Sequence, residues 1–224
     1  MAQPLFDAQA LPVNSVAGES ALHVERLQPD WLRQRFAAPP IWTPEVNAEP
    51  RFNQRPVTKA AVLVPIVVQP EGMHGLNILL TQRTAHLNDH AGQISFPGGR
   101  VEPEDESLVE TALREAYEEV GLARQHVDVI GTLPDYLTGT GYLVTPVVAL
   151  VHAPFELQAD PNEVAEIFQV PLAFLMDGNN HQRRQFMMPG EGRVRMFYTM
   201  PYQDFFIWGA TAGMLRNLFH FLRA

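Results

Sequence analysis

Three glutamates and an arginine crowd into the run Arg114-Glu115-Ala116-Tyr117-Glu118-Glu119. Set on a helix over 107–120, with Val109 at zero, they fall on one side of it. At about 100° per residue, Glu115, Glu118 and Glu119 lie near about 240°, 180° and 280°. The stripe of Val109, Ala112, Ala116 and Val120 covers roughly 300° to 40°, so the carboxylates flank a buried face. Glu115 and Glu119 are i,i+4 neighbours. Like charges at that spacing cost about 0.2–0.5 kcal/mol per pair, and the helix C-terminus further disfavours anions. A hard divalent cation with oxygen ligands offsets both penalties. A solvated acidic face is the alternative reading.

Charge elsewhere is balanced. The chain has 224 residues, 25 acids and 16 bases, for a net charge of −9. Residues 99–122 hold eight acids and two bases, so −6 of the −9 sits there. Such a balance argues against a nucleic-acid or anionic-membrane binder. There is no cysteine, which excludes disulfides and thiolate chemistry. Any metal must be held by carboxylates, carbonyls or histidines. The eight histidines are scattered; His86 and His90 are i,i+4, but Asn88-Asp89 between them suggests a loop. The N-terminus lacks a basic n-region and an apolar h-region, and the longest apolar run, 60–68, is too short to span a bilayer. A soluble, cytoplasmic protein is the expectation.

The elements that must position these carboxylates can be read in outline. Residues 60–68 (AAVLVPIVV) and 76–83 (LNILLTQR) predict buried strands, with a turn at PEGMHG between them. A short strand at 93–96 leads into Pro97-Gly98-Gly99. The carboxylate helix stops at Gly121. Strands are expected at 127–133, 145–151 and 194–200, and a terminal helix at 208–222. The stretch 163–176 is ambiguous, with Pro171 inside. Interleaved strands and helices predict an α/β (α+β) fold, a mixed sheet between helices. Residues 1–57 carry eight prolines, a short helix at 30–37, and the aromatics Trp31, Phe36, Trp42 and Phe52. They are expected to form an extension packed on the 58–224 domain or on a partner subunit, so a homodimer is possible.

The full run 98–122, GGRVEPEDESLVETALREAYEEVGL, resembles the signature of the Nudix hydrolases. The family's usual spacing from glycine to the first glutamate is five residues; between Gly99 and Glu106 there are six. From Glu106 through Arg114 to Leu122 the pattern matches without a break. The resemblance implies a mixed sheet sandwiched between helices and a Mg²⁺- or Mn²⁺-dependent diphosphatase. Glu115, Glu118 and Glu119 would be the metal ligands, and Arg114 would orient a glutamate, Glu106 or Glu115. Phosphoanhydride cleavage needs charge neutralisation and positioning more than covalent chemistry. An ordinary surface pair is the other reading of Arg114.

Upstream, Leu79-Leu80-Thr81-Gln82-Arg83-Thr84, Gly92 and Phe96-Pro97-Gly98-Gly99 are similar to the accessory motif of the coenzyme A pyrophosphatases, a Nudix subfamily. Asn88 replaces that motif's later arginine. Looser likeness continues at 137–146, 160–175 and 207–215. By this resemblance Arg83, Phe96, Gly98 and Gly99 bind substrate, and Arg100 compensates for Asn88. Arg83 alone would otherwise read as a strand-end arginine in water. Glu163 or Glu166, outside the box, is a candidate catalytic base, with Glu163 preferred. The implied reaction cleaves coenzyme A or its thioesters to 4′-phosphopantetheine (or its acyl form) and 3′,5′-ADP. The runner-up is a Nudix pyrophosphatase for ADP-ribose or a dinucleotide. A non-catalytic ligand-sensing Nudix domain is a third possibility, set against by intact box glutamates.

Overall fold

The computed structural model describes residues 6–51, 56–69, 75–85, 92–187 and 194–224. Asn88, His86, His90, Phe52 and most of the PEGMHG turn lie outside them. In chain order the elements are β1 (Val13–Val16), α1 (Pro29–Ala37), β2 (Thr58–Val68), β3 (Leu76–Arg83), β4 (Ile94–Ser95) and β5 (Gly98–Arg100). Then come α2 (Leu108–Val120), β6 (Val127–Thr132), β7 (Tyr136–Leu137), β8 (Tyr142–His152), β9 (Val164–Pro171) and α3 (Leu172–Leu175). β10 (Gln182–Met187), β11 (Val194–Tyr202), β12 (Phe205–Trp208) and α4 (Gly209–Arg223) complete the chain. The architecture is mixed α+β. No helix among the described residues is long and apolar enough to cross a membrane.

β2 and β8 form the parallel centre of a mixed sheet, in register from Thr58 opposite Tyr142 to Val68 opposite His152. Both are near-continuous apolar runs because both faces are covered. Ala61, Leu63 and Val67 point to one face with Val147, Ala149 and Val151, and the apolar stripe of α2 packs there. Val64 and Ile66, with Val148 and Leu150, point to the other face, where Leu215, Leu218 and Phe219 of α4 lie. β3 continues the sheet into β4 and β9, while β6 pairs with the far side of β8.

Each central strand contains a proline, and each proline stands in a gap of its ladder. On β2, pairing with β5 ends at Val62 and pairing with β3 begins at Ile66, leaving Pro65 between them. On β8, β7 pairs up to Val144 and β6 from Val147, leaving Pro146 between. Neither proline therefore deprives a neighbour of a donor. The β2 gap is also where Leu63 donates its N–H to the Pro97 carbonyl, at 2.8 Å. This contact delivers Gly98 and Gly99 beside α2.

A second, antiparallel sheet, β1-β10-β11-β12, lies beyond α4 and was not anticipated as a separate layer. Tyr198, Met200 and Ile207 from it join the α4 core. The described N-terminal residues wrap the same helix. Leu32 is fully buried, and the rings of Phe36 and Trp42 sit 4.6 and 5.4 Å from that of Phe221. Glu19 and Glu45 both bind Arg216, which is 1% exposed. The ambiguous stretch 163–176 resolves at Pro171 into β9 and then α3.

Candidate active site

The face of α2 that carries the carboxylates is set by its two ends. Ser107 caps the start, its hydroxyl accepting from the Glu110 N–H at 3.2 Å. Ser107 and Glu110 have capping-box spacing. At the other end Gly121 takes φ +70°, and Leu122 donates back to the Ala116 carbonyl. An αL residue there closes the helix within one turn. Glu115 and Glu119 then face β5, and the two glycines make room for them. A Cβ at Gly99 would stand 2.2 Å from Glu115 Oε1, and one at Gly98 would stand 2.5 Å from the Ala61 carbonyl oxygen. Only glycine lets the turn come this close to both helix and strand.

Glu119 is the most enclosed of the three glutamates, at 3% exposure. Burial pushes its carboxyl up to about 8; Glu115 and Glu163 add to the shift, and Arg83 opposes it. The Gly98 N–H donates to Glu119 Oε2 at 3.3 Å. Glu115 is raised as well, chiefly by burial, against the pull of Arg114. Two desolvated, mutually repelling carboxylates are costly as anions unless positive charge reaches them.

Two arginines supply part of it. Arg83, at the end of β3, lies 3.6 Å from Glu119 and 3.9 Å from Glu163. Arg114 Nη1 donates to Glu115 Oε1 at 3.0 Å and to Glu118 Oε2 at 2.9 Å. The shared nitrogen holds Glu118 beside Glu115. Among the described residues no three histidine or acidic side chains are arranged to hold a metal ion as they stand. The donor set nevertheless fits one. It is all oxygen, and it runs from buried Glu119 through partly buried Glu115 to Glu118, whose side chain is 55% exposed.

Arg114 has a further partner that sequence spacing obscured. It was expected to orient Glu106 or Glu115. The Glu115 contact is present; Nε and Nη2 in addition grip Asp105 Oδ1 and Oδ2 at 2.9 and 3.0 Å, while Glu106 is exposed and outside the pairing. Asp105 also accepts from Thr111 Oγ1 and the Glu102 N–H. This arginine grip, with those bonds, holds its carboxyl well below the usual carboxylate range. Leaving five residues after Gly99, the spacing usual in the family, leads to Asp105. The extra residue lies between it and the helix.

The remaining expected residues distribute as follows. Glu163 stands at the start of β9, half exposed, within the field of Glu115 and Glu119. Glu166 pairs across the ladder with Gln82, and so points to the face away from Arg83. Phe96 is 2% exposed and belongs to the core, so its part in the site is to seat the Pro97-Gly98-Gly99 turn. Arg100 lays its guanidinium on Tyr142, with Nε 3.0 Å from the phenol oxygen. Tyr142 was not singled out from sequence; only its place beside the lengthened loop could have marked it.

Comparison with known proteins gives the family. The NUDIX domain family matches residues 57–188. The uncharacterized Nudix hydrolase NudL of Shigella flexneri serotype 5b is 42% identical over 176 residues, covering 78% of this chain and 86% of that protein. NudL of Escherichia coli O139:H28 is 40% identical over 190 residues, covering 84% and 92%. Among solved structures, a C. elegans Ap4A hydrolase matches 52% of this chain and 81% of its own at 26% identity, with a TM-score of 0.42. The matched segment contains the Gly98-Gly99 turn, Arg114, Glu115, Glu118 and Glu119, and the chain belongs to the Nudix hydrolases.

Proposed function

We propose that the chain hydrolyses the diphosphate of coenzyme A or its thioesters, releasing 4′-phosphopantetheine (or its acyl form) and 3′,5′-ADP. Nudix hydrolases act on pyrophosphate bonds of small nucleotide-derived substrates and use divalent metals such as Mg²⁺ or Mn²⁺. The observation that carries the catalytic reading is the buried Glu115–Glu119 pair pressed against Gly98 and Gly99. The coenzyme A assignment rests on the motif from Leu79 to Gly99.

In this reading Glu115, Glu118 and Glu119 would hold a divalent ion, which would supply charge neutralisation for the diphosphate and a more acidic water. Arg114 keeps Glu115 and Glu118 in reach of one another and is itself anchored by Asp105. Arg83, beside Glu119 and Glu163, would bind a substrate phosphate by charge-assisted hydrogen bonds. Glu163, half in water and beside the cluster, accepts the proton from the attacking water. Gly98 and Gly99 let the diphosphate approach the backbone, and Phe96 fixes that turn from below.

The test is product analysis after incubation of coenzyme A with the protein and Mg²⁺ or Mn²⁺, with Glu119→Gln as control. Metal-dependent release of 3′,5′-ADP is expected. ADP-ribose or a dinucleotide cleaved faster than coenzyme A at equal concentration would overturn the substrate assignment. Tight coenzyme A binding without any turnover would overturn the enzymatic one.

A further inference from the structure

Three arginines stand close to the carboxylate helix, and two are committed. Arg114 is taken by Asp105, Glu115 and Glu118, and Arg83 by Glu119 and Glu163. Arg100 is the third. It is exposed, and it pairs with no carboxylate among the described residues. Its Nε and Nη2 rest on the Tyr142 phenol oxygen, and its guanidinium carbon lies 5.4 Å from the ring centre. A neutral phenol and an aromatic face hold the side chain in place without cancelling its charge.

This held cation is tied to the site on its backbone side. Its carbonyl accepts from Arg114 Nη2 at 3.0 Å, and the preceding Gly99 abuts Glu115. Successive residues of a strand point to opposite faces. Gly99, opposite Ala61, faces α2 and the carboxylates; Arg100, opposite Ala60, faces the other way, as does Tyr142. The guanidinium is therefore aimed at a group displaced from the bond that the carboxylates serve. Its platform is braced in turn: Tyr142 donates its N–H to Thr138 Oγ1 at 3.0 Å, and Gly139 donates to Glu49 Oε2 at 2.9 Å.

We infer that Arg100, braced by Tyr142, receives a phosphomonoester that the substrate carries apart from its scissile diphosphate. The inference rests on the coenzyme A reading, whose 3′-phosphate is such a group. A dianion matches the guanidinium fork, and charge-assisted bonds to it are the strong kind. Arg100 is then a specificity determinant, separating 3′-phosphorylated from unphosphorylated nucleotides at one site.

Calorimetric titration in Mg²⁺ compares adenosine 3′,5′-bisphosphate with adenosine 5′-monophosphate on the wild type, Arg100→Ala, Arg100→Lys and Tyr142→Phe. Arg100→Ala is expected to weaken the bisphosphate about 10- to 100-fold and the monophosphate by less than about twofold. Arg100→Lys recovers part of the loss, and Tyr142→Phe falls between. Equal weakening of both ligands, or of neither, overturns the inference. Wild-type preference for ADP-ribose over coenzyme A in turnover would sink the substrate reading instead, and the calorimetry decides Arg100 independently of it.

Discussion

Asp105 and Glu106 are adjacent acids, and only one of them is built into the site. Asp105 has its side chain 4% exposed and accepts four hydrogen bonds: two from Arg114, one from Thr111 Oγ1 and one from the Glu102 N–H. Asp105→Asn keeps the shape but removes the charge and turns an NH₂ group toward a donor. One bond to a charged partner is lost and another loses its charge assistance. At about 1.5–3 kcal/mol for bonds to charged groups, the total comes to roughly 3 kcal/mol. In a protein of this size each kcal/mol moves Tm by about 2–4 °C, so a fall of about 6–12 °C is expected. Glu106→Gln, at an exposed position outside the network, is expected to stay within about 0.5 kcal/mol. Calorimetric unfolding at neutral pH reads both variants. The folded Asp105 titrates below its unfolded value. Its stabilisation is therefore complete above the unfolded value and is lost as pH falls through the folded one, so the gap between wild type and Asp105→Asn should close in acid. A Glu106→Gln loss as large as that of Asp105→Asn, or an Asp105→Asn shift below about 2 °C, would refute the assignment.

Glu119→Gln should lower kcat by at least about 100-fold and weaken Mn²⁺ binding in a paramagnetic titration; unchanged Mn²⁺ affinity would remove it from the ligand set. Glu163→Gln is expected to cost about 10²–10⁴ in kcat, whereas Glu166→Gln leaves kcat alone. Near wild-type turnover in Glu163→Gln would rule it out as the base. Gly99→Ala forces Glu115 aside and should reduce turnover more than Tm; intact turnover would contradict the close approach. For pH, His181 is fully buried with Nε2 2.8 Å from the Leu175 carbonyl and Nδ1 3.0 Å from Arg216 Nη1, which fixes a neutral ring. Burial lowers its pKa to about 4 from 6.5, so the unfolded state binds the extra proton between those values, and stability should fall as pH drops from 6.5 to 4. Glu19 and Glu45, both held near about 2, extend the loss as pH drops below 4.5; a Tm flat across these windows would contradict it.

What could be read in advance depended on how local the cause was. The α2 helix carried its own start, stop and apolar stripe within fifteen residues, and the strand at Leu76–Arg83 carried its own buried apolar run. The second sheet was half visible. Val194 onward had strand texture, but Gln182-Arg183-Arg184-Gln185 did not, because its buried arginine is satisfied by the carbonyls of Gln9 and Leu11. Such partners lie more than 170 residues away and leave no local pattern. Asp105 was hidden for a different reason. An inserted residue put two acids in one place, and periodicity does not say which of them Arg114 will choose. The contacts of Glu19, Glu45 and Glu49 were likewise out of reach, since their arginines stand near the other end of the chain.

The knot on Arg216 also sets an order of events during synthesis. Glu19 and its arginine are separated by 197 residues. At about 5–20 residues per second, the arm leaves the ribosome about 10–40 s before α4 exists to receive it. Over that interval Phe36 and Trp42 lack the Phe221 ring they pack on. The arm is thus made well before its last partner arrives. A nonsense codon or frameshift late enough to spare α2 and the whole carboxylate site would still unmoor the opposite end of the protein. Damage to the last helix should therefore be felt as proteolysis near the first.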